Sequence, residues 1–127
     1  MRDTDVIVIG AGNAALCAAL SAADQGARVV VLERAHEDER GGNSRFTAGA
    51  MRVVYNGLDD LLELMPDLTE EDRLNEFGQY TSDQFFDDMG RITDYRADPD
   101  LVETLVHGSY PALKWMHGKG VRFMPMY

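Results

Sequence analysis

Gly10, Gly12 and Ala15 stand in the spacing G-x-G-x-x-A, and a carboxylate, Glu33, follows about twenty residues later. These residue types at these intervals can hold a nucleotide diphosphate. Gly10 permits a tight turn off a strand. Gly12 lets a phosphate approach the backbone at the start of Asn13-Ala14-Ala15, where a helix presents free N–H groups and the positive end of its dipole. Glu33 can accept hydrogen bonds from a ribose diol. Its charge disfavours a 2′-phosphate, although Arg34 beside it works against that repulsion.

A second run, Gly41-Gly42-Asn43-Ser44-Arg45-Phe46-Thr47-Ala48-Gly49-Ala50, follows a few residues later. Read as a second backbone cradle, its glycines allow close approach and Asn43, Ser44 and Thr47 donate hydrogen bonds. Ala48-Gly49-Ala50 extends a small-residue surface against which a flat ring can lie. The plainer reading is a flexible surface loop of ordinary turn residues. A cofactor long enough to need both cradles points to FAD. An NAD-binding unit would have no use for Gly41 to Ala50.

Positioning these residues requires a strand, a helix and a second strand. Val6-Ile7-Val8-Ile9 and Arg28 to Leu32 are continuous β-branched runs, as expected of parallel strands covered on both faces. Asn13 to Gln25 is rich in Ala and Leu, and Gly26 is placed to end it as a left-handed residue. Ala15, Ala18, Ala19 and Ala22 would keep this helix close to the sheet. Ala35 to about Asn56 reads as loop.

From Leu58 the period is helical. Leu58, Leu61, Leu62 and Met65 form one stripe, stopped by Pro66. Thr69 with Asp72 resembles a capping box. Thr81 or Ser82 caps a helix with the stripe Phe85, Phe86, Met89 and Ile92. Asp98-Pro99 starts another, with Leu101, Val102, Leu105 and Val106 on its apolar face. A break is expected at Gly108-Ser109, with a restart at Pro111. Gly118 or Gly120 ends that short helix, and Val121 to Tyr127 reads as a strand.

The expected fold class is therefore α/β: a Rossmann-like βαβ unit with a parallel sheet and the second loop over 1–57, then a helical segment ending in a strand over 58–127. Two or three strands do not complete a doubly wound sheet. The 127 residues are thus expected to be the N-terminal part of a longer FAD-binding domain.

The net charge is −10, and fifteen of the twenty-two acids lie between Asp59 and Glu103 with three of the twelve bases. That balance argues against nucleic acid and anionic lipid as partners, because both need clustered Lys or Arg. The acidic stretch reads as solvated helical faces or, less simply, as a docking patch for a basic partner. Cys17 is the single cysteine, so no internal disulfide forms, which fits a reducing, cytoplasmic location. No secretory signal is visible at Met1 to Asp5, and no apolar run approaches the roughly twenty residues of a membrane span. His36, His107 and His117 lack ligand spacing, so no metal site is expected. Cys17 and the methionines Met51, Met65, Met89, Met116, Met124 and Met126 read as packing residues.

The chain resembles the N-terminus of the fumarate reductase/succinate dehydrogenase flavoprotein superfamily. Val8 to Leu20 together with Gly41 to Ser44 is most similar to FAD-dependent tricarballylate dehydrogenases. Asp83 to Asp88, Trp115-Met116 and Gly120 to Phe123 fit the same group. The resemblance implies diphosphate contacts at Gly10, Gly12, Asn13, Ala14 and Ala15. It implies adenosine ribose contacts at Glu33, with Arg34 and Ala35 nearby, and isoalloxazine contacts at Gly41, Gly42, Asn43, Ser44, Thr47, Ala48, Gly49 and Ala50. Many members carry Gly-Gly where this chain has Gly49-Ala50. Members with covalent flavin carry His where this chain has Asn43, so the FAD is expected to be non-covalent.

The implied reaction is dehydrogenation of a small polycarboxylate, with tricarballylate to cis-aconitate as the leading case. Electrons would pass to a separate carrier such as an iron–sulfur membrane protein. A fumarate reductase-like or ketosteroid dehydrogenase-like flavoenzyme and an inactive fragment are the alternatives. In this family Arg and His residues further along the chain hold the substrate. No catalytic residue is assigned within these 127 residues, Arg45 and Arg52 included.

Overall fold

The computed structural model describes residues 3–126, which divide into two compact units, Met1–Ala50 and Met51–Tyr127. The division falls ahead of the change expected at Gly57. Residues 51–57 are extended and loop-like, but their partners lie in the helical unit. Tyr55 exchanges backbone hydrogen bonds with Tyr80 (3.0 and 2.9 Å), and the Val54 N–H donates to Ser109 Oγ at 3.1 Å.

In the first unit β1 (Val6–Ile9) pairs in parallel with β2 (Val29–Leu32), in the register Val6↔Val29 to Ile9↔Leu32. Between them runs α1 (Asn13–Asp24), which packs against both strands. The expected strand–helix–strand unit is present. Asp5 and Arg28 fasten its open end. The Arg28 guanidinium donates to both Asp5 oxygens at 2.9 Å, and the Arg28 N–H adds a third bond at 2.9 Å.

The helix closes as the sequence indicates. Gly26 is left-handed (φ +83°). Its N–H bonds Ala23 O, and the Ala27 N–H bonds Ala22 O, the reciprocal pair of a Schellman motif. Ala15, Ala19 and Ala22 are half-buried, but Ala18 is exposed, so only three of the four alanines face the sheet. The expectation of strands covered on both faces is not met here. Ile7, Ile9, Val30 and Leu32 are exposed, because α1 covers one face of the two-stranded sheet.

In the second unit the chain forms α2 (Leu58–Leu64), α3 (Ser82–Ile92) and α4 (Pro99–Gly118). Leu61, Leu64, Met65, Leu68 and Leu113 make the buried core, with Val53, Tyr55, Phe77, Tyr110 and Phe123 packed around it. Thr81 caps α3 in a capping box with Gln84. Thr69 and Asp72 bond reciprocally at the start of a 3-10 turn. Asp98 accepts the N–H groups of Asp100 and Leu101 at the start of α4, with Pro99 at the first position.

Three expectations fail. The break at Gly108-Ser109 does not occur, and α4 runs continuously through Pro111. Val106, Ser109 and Leu113 are all buried and form one stripe across the proline. Docking of that stripe outweighs the hydrogen bond that Pro111 cannot make. Ile92, Leu101 and Leu105 are exposed, because α3 and α4 bury Phe85 and Val106 instead. Val121 to Met126 is extended but unpaired among the described residues, since no neighbouring strand lies alongside it. Phe123 packs on the core while Met124 and Met126 are exposed. Tyr127, the end of that expected strand, lies outside the described residues.

Candidate functional site

Gly10 has φ +105°, a conformation costly for any residue with a Cβ. Its N–H still bonds Leu32 O at 2.7 Å, so the sheet ladder continues up to the turn. Gly12 precedes α1 in extended conformation and brings no capping side chain. The first amide of α1, Asn13 N–H, is instead met by Ser44 Oγ at 3.0 Å. A Cβ on Gly12 would lie 3.3 Å from Gly41 O and 3.4 Å from Ser44 Oγ. The close approach at Gly12 is therefore made by the second glycine run, which folds directly onto the first.

Glu33 follows β2 and reaches back to the turn. One oxygen accepts the Ala11 N–H at 2.9 Å and the other the Ala35 N–H at 2.8 Å. The Ala35 hydrogen bond, joined by the Ala11 bond, holds its carboxyl below the usual range against a partial opposing effect of desolvation. Glu33 is thus an anion that fixes the glycine turn. Each oxygen keeps a lone pair for a further donor such as a ribose hydroxyl.

The second run is more structured than a loop. Gly41 (φ +108°) turns the chain, and Gly42–Phe46 forms a 3-10 helix. The Ser44 N–H bonds Gly41 O at 3.2 Å. The Thr47 hydroxyl donates to Ser44 O at 3.0 Å and accepts the Gly49 N–H at 3.3 Å. Thr47 therefore shapes the run from within. Ala48 and Gly49 are both left-handed (φ 52° and 72°), and Asn43 is exposed.

An open cavity of about 640 Å³ lies between the two runs. It brings together four of the residues expected from sequence: Asn13, Glu33, Gly41 and Ser44. Gly10, Gly12, Ala14, Ala15, Arg34, Ala35, Gly42, Asn43 and Thr47 to Ala50 do not line it. Ala11, inside the first glycine motif, lines it, as do Leu16, Val31, Arg40 and Arg45; none of the five was assigned a cofactor contact from sequence. Leu16 and Val31 follow from the helix and strand faces turned to the turn. The two arginines flank Gly41 to Ser44, where a cation next to each end of a cradle was the available signal.

The donor set suits a dinucleotide. The helix N-terminus and two guanidiniums serve an anion, an anchored carboxylate serves hydroxyls, and the volume is that of a ligand pocket.

The second unit holds a polar cluster that sequence reasoning missed. Asp88 accepts from the Tyr80 hydroxyl at 2.7 Å, from Arg91 at 2.6 Å and from Arg52. The Arg52 guanidinium also lies over the Tyr80 ring, 5.3 Å from its centre. Arg91 and Tyr80 hold the Asp88 carboxyl low, and burial raises Tyr80. The cluster ties the extended 51–55 segment to α3. Among the described residues no group of three or more His, Cys, Asp or Glu can hold a metal ion, and no helix is long and apolar enough to cross a membrane.

A parallel strand–turn–helix with its helix N-terminus, anchored carboxylate and second glycine run around one cavity has the features of the dinucleotide-binding class of α/β proteins. The family is specific: the chain belongs to the FAD binding domain family, whose model matches residues 5–126, and it binds FAD. It is 34% identical over 130 residues to urocanate reductase of Eggerthella lenta, covering 97% of this chain and 18% of that protein. It is 31% identical over 118 residues to fumarate reductase (cytochrome) of Shewanella frigidimarina, covering 91% and 18%. Digoxin reductase of Eggerthella lenta is 28% identical, with 93% and 19% covered. The chain spans about a fifth of the length of the curated relatives it matches. No solved structure matches.

Proposed function

We propose that this chain is the Rossmann-like, FAD-binding N-terminal part of a flavin-dependent oxidoreductase that acts on a small carboxylate. In this reading 1–57 carries the βαβ unit and flavin loop, and 58–127 is a helical segment of the same, incomplete domain. The observation that carries the reading is the join between the two glycine runs, Asn13 N–H to Ser44 Oγ, beside a cavity that Glu33 lines.

The α1 N-terminus holds the diphosphate at Gly10, Gly12, Asn13, Ala14 and Ala15, with the Asn13 amide shared with Ser44 Oγ. Glu33 holds the adenosine ribose, with Arg34 and Ala35 beside it. Gly41 to Ser44 and Thr47 to Ala50 face the isoalloxazine. When bound, the flavin supplies hydride exchange at N5. The FAD is non-covalent, because Asn43 has no nucleophile to offer at the position of the histidine in covalent members.

Tricarballylate to cis-aconitate is the substrate pair favoured by the likeness of Val8 to Leu20 and Gly41 to Ser44 to tricarballylate dehydrogenases. A second reading, reduction of an unsaturated carboxylate, is favoured by the names of two relatives, urocanate reductase and fumarate reductase. In either case electrons pass to or from a separate carrier.

The test is anaerobic titration of the complete, FAD-loaded protein. Bleaching of the flavin band by tricarballylate supports dehydrogenation. Reoxidation of the reduced flavin by fumarate or urocanate, without bleaching by tricarballylate, supports the second reading. Failure of all three would sink the carboxylate assignment.

A further inference from the structure

The cavity between the glycine runs carries two guanidiniums that the family fold does not require, since a helix N-terminus and backbone amides already serve a diphosphate. Arg40 and Arg45 line the same cavity as Asn13 and Glu33. Among the described residues neither pairs with the carboxylate there, whose hydrogen-bond partners are the Ala11 and Ala35 amides. Arg40 has a weak partner outside the cavity, Glu37 Oε1 at 3.7 Å. The Arg45 guanidinium lies over its own neighbour, Phe46, 5.4 Å from the ring centre. Both contacts leave donors to spare on a group with five N–H bonds.

The first unit, residues 1–50, has five arginines against seven Asp and Glu residues, so an anionic ligand gains from positive charge concentrated at its own binding site. FAD carries its negative charge only on its diphosphate. Two arginines at the ends of the Gly41 to Ser44 run therefore have one complementary group on the cofactor. We propose that Arg40 and Arg45 form an electrostatic clamp on the diphosphate and set the affinity for FAD. This inference rests on the placement of the cofactor argued above.

Arg40 and Arg45 are exposed at the cavity rim, so uncharged variants should fold, as circular dichroism would verify. Binding of FAD, of ADP as a diphosphate probe and of adenosine as a phosphate-free probe would be measured for the complete apoprotein and for R40Q, R45Q and the double variant. About a tenfold rise in Kd for FAD and ADP is expected at each arginine. The rise should shrink at high salt, R40K and R45K should recover part of the loss, and adenosine affinity should stay unchanged. If the wild-type protein binds FAD but the double variant keeps its affinity for ADP within about twofold, the clamp is overturned and the site reading stands. If adenosine affinity falls as far as ADP affinity, the arginines hold the nucleoside instead and the clamp is again overturned. If folded wild-type apoprotein binds no FAD, both readings fall together.

Discussion

The Asn13 N–H donates to Ser44 Oγ at 3.0 Å across thirty-one residues of sequence. Through this bond the start of α1 and the second glycine run become one structure. Gly12 makes it possible, because its missing side chain admits Gly41 O and Ser44 Oγ. The glycine that a motif reading gives wholly to a phosphate is thus also needed by the protein itself.

Ser44→Ala should separate the runs. Loss of the hydroxyl removes an acceptor from the first amide of α1, at a cost of about 1 kcal/mol. Asn13 amide exchange should accelerate and the Kd for FAD should rise, while Ser44→Thr should retain most of the wild-type behaviour. Gly12→Ala should act on the same contact through crowding, since its backbone conformation (φ −76°) suits alanine. Unchanged exchange at Asn13 in Ser44→Ala would show that the runs hold together without this bond.

Glu33 links pH to the same turn. Its folded-state carboxyl is held below the ordinary value of 4.5. Its stabilisation is therefore complete above the unfolded-chain value and is lost as pH falls through the lower, folded one. Glu33→Gln should remove that dependence, because an amide cannot accept at both positions. Melting of wild type and variant at about pH 6 and about pH 3.5 would read it. The expected result is a wild-type advantage at the higher pH that narrows at the lower. Asp5, Glu63 and Asp88 are also held low by their Arg, Lys and Tyr partners. The difference between the two proteins, rather than either curve, carries the test.

Local chemistry made much of this fold legible. The β-branched runs flanking Gly10 and Gly26 could only be strands around a helix. Thr81 or Ser82, and Asp98 before Pro99, announced their helices by capping groups that act within one turn. What escaped depends on groups distant in sequence. Glu33 reads as a ribose ligand, but its backbone partners Ala11 and Ala35 appear only when the turn is built. The 3-10 helix at Gly42–Phe46 arises from Gly41 and Ser44 against Gly12, which no local propensity encodes. Arg40 and Arg45 carry no periodic signal at all.

Ser109 is the buried polar residue that joins α4 to the 51–57 segment. Its Oγ accepts the Val54 N–H at 3.1 Å and donates to Val106 O at 2.9 Å. Ser109→Ala leaves the Val54 amide without that acceptor, at a cost of about 1–3 kcal/mol. A lower midpoint in urea with an unchanged slope is the expected outcome. Ser109→Cys should recover little, since a thiol is a poor acceptor.

On the proposed placement, Asn43 lies at the isoalloxazine and decides how the cofactor is held. Its amide offers no nucleophile for a bond to the flavin, so acid precipitation should release the yellow colour to the supernatant. A coloured pellet would mean that another side chain forms the bond. Asn43→His tests the position directly: if the residue lies against the isoalloxazine, the variant has the residue type used by covalent members, and some flavin should remain with the precipitate.

Pro111 sits exposed inside the continuous helix α4, where proline costs about 3 kcal/mol relative to alanine. The helix survives because packing holds it on both sides of the proline. Ser109 and Leu113 are buried, and the Tyr110 hydroxyl lies 2.9 Å from both the Asp60 carbonyl and the Glu63 carboxylate. Pro111→Ala restores an amide that can reach the His107 carbonyl and leaves this buried stripe untouched. The gain is reduced by about 0.4–1 kcal/mol, because alanine also gives the unfolded chain more freedom. A net stabilisation of about 2–2.6 kcal/mol is expected, seen as a higher midpoint in denaturant. If Pro111→Ala lowers the midpoint instead, straightening the helix must pull Leu113 from the core, and the proline would then be a required bend rather than a tolerated defect.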